Sequence, residues 1–152
     1  MVWYNVPPLI VSEICKWEMS MNLIEKIPLP NGLVMEVWDR SRAIATDTTK
    51  VELLITVPVT MEQAYFSDPE HFRRVVEIFG PEIAYEYTKE RTFVSTADSR
   101  QVFTDLLDDF RRDSLPYLSK DDFPRRFALS KLSEIHRHPH RYRKAGTASS
   151  HN

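Results

Sequence analysis

Residues 136–144, HRHPHRYRK, pack three histidines, three arginines and a lysine into nine positions. Two chemistries use such a set: imidazoles sharing a metal ion, and cations gripping phosphates. Histidines at alternating positions point one way along an extended chain, but not along a helix. Here the preceding residues continue a helical pattern through His136, which falls beside Leu129 and Leu132 on the apolar stripe. Pro139 then pushes His138 out of helical geometry. No Asp, Glu or Cys stands nearby to complete a ligand set, so no metal or other cofactor is expected. Arg137, Arg141, Arg143 and Lys144, with Tyr142 among them, have the composition of a polyanion-binding segment carrying one stacking residue. Nucleic acid is therefore a possible partner but not the favoured one, because the rest of the chain is acidic: residues 119–152 hold 8 basic and 3 acidic side chains, residues 1–118 hold 12 and 19.

A second constellation lies in WDRSRAIATDTTK. Arg40, Ser41 and Arg42 sit between two expected strands, where loops often carry anion or ligand contacts. With Tyr85 of a later aromatic strand they would make a small ligand-binding enzyme built on the Arg40–Thr49 loop. Asp105, Asp108 and Asp109 also neighbour one another, but on the charged side of an amphipathic helix. Asp108 stands four residues before Arg112, the spacing of a helical ion pair. Other catalytic signatures are missing. Glycines at 32, 80 and 146 form no phosphate-cradling loop, and there is no Gly-x-Ser-x-Gly or His-Glu-x-x-His. Cys15 is the single cysteine, which excludes an intrachain disulfide and any thiolate cluster, and fits a reducing compartment.

The elements that must position these residues are legible from periodicity. Asn31-Gly32 is the pair preferred by a type I′ hairpin turn, so Leu23–Leu29 and Leu33–Asp39 are expected to form a hairpin. Val51, Leu53, Ile55 and Val57 alternate with polar partners in a third strand, joined to the hairpin by a polar loop over Arg40–Thr49. SDPEHFRRVVEIFG reads as a helix with Ser67 and Glu70 at capping-box spacing, Gly80 at its end, and Phe72, Val75, Val76 and Phe79 facing a core. IAYEYTKERTFVST reads as a strand, with Ile83, Tyr85 and Tyr87 in step. Val102, Phe103, Leu106, Leu107 and Phe110 mark a second helix ended by Pro116. Ala128, Leu129, Leu132 and Ile135 mark a third, capped near Asp121 or Asp122.

With an extra strand expected at Leu9–Ile14, the order predicts an α+β domain: an antiparallel sheet of four or five strands with about three helices covering one face. Its span is expected to be 1–138, followed by a flexible basic tail over 139–152. No apolar run reaches the roughly 20 residues that span a bilayer, and the N-terminus lacks a basic leader, so a cytoplasmic protein is expected. Trp3, Tyr4, Pro7, Pro8, Leu9, Ile10, Val11 and Trp17 carry more apolar surface than a free arm should. The favoured function is thus a non-enzymatic interaction or regulatory module that uses this segment to reach a protein partner or a second copy of itself.

Overall fold

In the computed structural model, which describes residues 21–142, every strand belongs to one antiparallel sheet. The strands are β1 (Asn22–Pro28), β2 (Val34–Asp39), β3 (Arg42–Ala45), β4 (Thr48–Thr60) and β5 (Glu82–Ser95). The helices are α1 (Pro69–Phe79), α2 (Ser99–Asp113), α3 (Leu115–Leu118) and α4 (Phe123–Arg137), with single 3-10 turns at Gln63–Tyr65 and Thr96–Asp98. This is the α+β architecture that the periodicities predict. The suggested Leu9–Ile14 strand and Cys15 lie outside the described residues.

β4 is the spine of the sheet. One of its edges pairs with β5 from Thr48 to Thr60; the other pairs with β3 at its start and with β2 farther along, and β1 lies outside β2. Val51, Leu53, Ile55, Val57 and Val59 are fully buried on one face beneath the helices, together with Met35 and Val37 of β2. Alternation along a strand sends Lys50, Glu52, Leu54 and Thr56 to the opposite face. Leu54 is only 6% exposed yet lies outside the core cluster. The helical layer uses the expected stripes: Val75 of α1, Leu106, Leu107 and Phe110 of α2, and Ala128 and Ile135 of α4 are buried. Aromatic rings close the layer, with Tyr87 on Phe110 at 4.7 Å and Tyr85 edge-on to Phe123 at 5.7 Å.

Several local expectations are corrected. The hairpin is closed by a three-residue loop, Pro30-Asn31-Gly32, with Gly32 N–H donating to Leu29 O and only Gly32 at positive φ (+92°). Pro30 favours this loop by fixing its φ, and Asn31 is recruited elsewhere: its amide nitrogen donates to Leu118 O and Lys120 O, both at 2.8 Å. The Arg40–Thr49 segment is not a loop throughout, since it contains β3 and the start of β4. Asp68, not Ser67, caps α1, its Oδ1 accepting the Glu70 N–H at 2.9 Å. Pro116 sits in the first turn of α3 instead of ending α2, a position where its missing N–H costs nothing. Arg112 pairs with Asp109 and Asp113, not with Asp108.

Candidate functional site

Arg40, Ser41 and Arg42 converge on one residue, Glu52, the arginines on its carboxylate and Ser41 on its backbone N–H. Glu52, 4% exposed, lies 3.0 Å from Arg40 Nη2, 3.9 Å from Arg42 Nη1 and 3.8 Å from Lys50 Nζ. Lys50 also reaches Glu90 at 3.3 Å. The backbone explains why these residues meet. β2 and β3 run along the same edge of β4 as one interrupted strand, and the interruption falls opposite Glu52. Arg40 N–H donates to Glu52 O at 2.9 Å, while Ser41 Oγ accepts the Glu52 N–H at 3.0 Å in place of a backbone carbonyl. Asp39 Oδ1 holds this kink by accepting the Ser41 N–H at 2.9 Å. The Asp-Arg-Ser run therefore satisfies a backbone that would otherwise lose its ladder, and Arg40, with Arg42 and Lys50, neutralises a buried charge.

Tyr85 is not part of this cluster. It faces the helical layer between Phe123 and Phe127, and burial pushes its hydroxyl pKa up, reinforced by Tyr117 and Tyr87.

Of the basic C-terminal residues, Arg137 and Arg141 are exposed and Arg143 and Lys144 lie outside the described residues. The Tyr142 ring is already engaged, 5.2 Å from the Phe79 ring, and its hydroxyl donates to the Glu134 carboxylate. That bond, aided by Lys131, holds Glu134 below the usual carboxylate range against the opposing effect of burial. His136 is exposed at the end of α4, and its ring meets His71 of α1 edge-on at 5.8 Å beside a groove of about 280 Å³ that Arg74 and Glu77 also line. Among the described residues no three His, Cys, Asp or Glu side chains group as a metal site, and no helix is long and apolar enough to cross a membrane.

A larger cleft, about 460 Å³, opens on the other side of the Asp-Arg-Ser kink. Asp39 and Ser41 form one wall, and Ser99, Arg100, Phe103, Thr104 and Leu107 of α2 form the other. Ile24 of β1 also lines it. It is the extra residue of a bulge in β1 between Leu23 and Glu25, which turns an apolar side chain out of the ladder. Of this set the sequence reading singles out Ser41 as a binding residue. The signal it passes over is the 99, 103, 107 and 100, 104 spacing on α2, which sets hydroxyls and a cation beside an apolar stripe.

The open face of the sheet carries a third arrangement. Its central rung runs Leu23, Trp38, Leu54, Thr88 across four strands. Trp38 Nε1–H donates to Thr56 Oγ1 at 2.9 Å, and that hydroxyl donates to Glu36 Oε1 at 2.8 Å, so the indole is pinned against the sheet. The next rung reads Lys26, Glu36, Thr56, Glu86. Phe93, 80% exposed, sits beyond this face in a bulge opposite Lys50, with φ +56°. No family model, curated protein or solved structure matches the chain.

Proposed function

We propose that this protein is a non-enzymatic interaction module that self-associates through the open face of its sheet. The observation that carries the reading is the Leu23–Trp38 pair, an exposed leucine beside a part-buried, rigidly held tryptophan, which with buried Leu54 makes an apolar strip that no described helix covers. Pinning matters because an aromatic held in one rotamer loses little entropy when a partner packs on it. Charge selects the occupant. Cations lie on the β1 and β3 side of the strip, at Lys26, which also reaches Glu36 at 3.8 Å, and at Arg42, which also reaches Glu52; carboxylates lie on the β5 side, at Glu86 and at Glu90, which Lys50 reaches at 3.3 Å. A two-fold axis parallel to the strands places the cationic side of one copy over the acidic side of the other, with Lys26 over Glu86. A polyanion has no such match, since half of the face repels it. The apolar segment Trp3–Trp17 precedes β1 in the sequence, and it is the part of the chain that we expect to extend the contact.

The test is the native mass of the full chain by light scattering, followed by charge exchange. A dimer is expected, weakened by Glu86→Lys and restored by adding Lys26→Glu. A monomer at about 100 μM, far above the working range of a standard-size interface, overturns the reading. So does a dimer indifferent to Leu23→Lys and to the charge exchange. Co-purifying nucleic acid that depends on Arg137, Arg141 and the residues after them would instead support the polyanion alternative.

A further inference from the structure

The cleft between α2 and the Asp-Arg-Ser kink combines two charges of opposite sign that have no ion-pair partner among the described residues. Asp39 is half-buried, and its side chain accepts a single bond, from the Ser41 backbone N–H; it has no ion-pair partner among the described residues. Arg100 lines the same cleft and makes no described hydrogen bond or ion pair. A few residues away, Glu52 gathers three cations, so the local chain does not lack means of pairing charges. The rest of the lining is apolar at Ile24, Phe103 and Leu107 and carries hydroxyls at Ser41, Ser99 and Thr104. The volume, about 460 Å³, lies within the roughly 300–1,000 Å³ of small-molecule sites.

We propose that this cleft binds a small zwitterion, an α-amino acid with a branched or aromatic apolar side chain. The ammonium group meets Asp39, the carboxylate meets Arg100, and the side chain lies on Ile24, Phe103 and Leu107. A simple anion gains Arg100 but faces Asp39, and a simple cation faces the reverse. Only a ligand carrying both charges on a short spacing, with an apolar body, uses all the walls together. The site is separate from the open face and does not depend on self-association.

The experiment is titration of the full chain with leucine, isoleucine, phenylalanine and tryptophan, read by calorimetry and by amide shifts. Two analogues of leucine, isopentylamine without the carboxylate and 4-methylpentanoate without the ammonium, complete the set. Expected is saturable binding with Kd of about 1 mM or tighter for at least one amino acid, about tenfold weaker for either analogue. Arg100→Gln, at an exposed residue that makes no described bond, is expected to weaken binding by about tenfold while the circular dichroism stays unchanged. No saturable binding by the four amino acids up to about 20 mM overturns the proposal. An analogue that binds as well as leucine, or an Arg100→Gln chain that binds undiminished, overturns it equally.

Discussion

Glu52 and Arg40 are joined twice, once through side chains at 3.0 Å and once through the Arg40 N–H and the Glu52 carbonyl at 2.9 Å. The double link makes the charge cluster a brace for the sheet. Glu52→Gln leaves Arg40, Arg42 and Lys50 facing one another without their shared anion. Because Arg40 and Arg42 are partly exposed and can turn toward water, the expected cost is about 1–3 kcal/mol, below that of a fully buried pair. Arg42→Ala, at a 3.9 Å contact, should cost less than about 1 kcal/mol. Urea unfolding of the two variants checks the order; equal losses would show that the cluster is not centred on Glu52.

Ser41→Ala removes the one acceptor of the buried Glu52 N–H. An orphaned donor at that depth costs about 1–3 kcal/mol, whereas Ser41→Thr keeps the oxygen and should recover most of it. Hydrogen exchange at the Glu52 amide gives a local reading: protection is expected to fall in the alanine variant and return in the threonine one.

Phe93 holds a left-handed backbone that a bulky L-residue adopts at a cost of roughly 1–2 kcal/mol, and its side chain is 80% exposed. Phe93→Asn should therefore raise stability by about 0.5–1 kcal/mol. A loss of stability would mean that the ring makes contacts beyond those described.

Tyr142→Phe keeps the packing on Phe79 and removes the hydrogen bond to Glu134. The bond lowers the folded-state pKa of Glu134 below its unfolded value. Its stabilisation is therefore complete above the unfolded value and disappears as pH falls through the folded one. The variant should melt below the parent chain at neutral pH, and the gap should close as pH falls through the lowered folded-state value of Glu134. A gap that persists unchanged into acid would assign the loss to packing.

Gly32 and Asn31 do separate work in the hairpin loop. A Cβ at Gly32 meets nothing within 4 Å, so Gly32→Ala should cost only the backbone strain of φ +92°, about 1 kcal/mol. Asn31→Ala loses the bonds to Leu118 O and Lys120 O and should cost about 1–3 kcal/mol, detaching the loop from the α3–α4 connection. Melting temperatures of the pair separate turn strain from docking.

Sequence alone determined the elements whose signal is local. Alternation over Val51–Val57 and over Ile83–Tyr87 implies two strands, and the stripes of α1, α2 and α4 imply their buried faces, because burial of one side imposes a period of two or about 3.6 residues. Gly80 stops α1 as its type suggests, with φ +96° and its N–H on Val76 O. What required tertiary structure were partnerships between residues far apart in the chain. The polar run after β2 looks like a loop, because nothing within it reveals that Ser41 would accept from Glu52 and keep β3 in register. Tyr85 and Arg42 look like one site and stand on opposite faces, since pairing register, not residue type, decides which way each side chain points. The cleft joins Asp39 to Arg100 across sixty positions of sequence, and only the packing of α2 against the β2–β3 kink brings those charges to one wall-lined space.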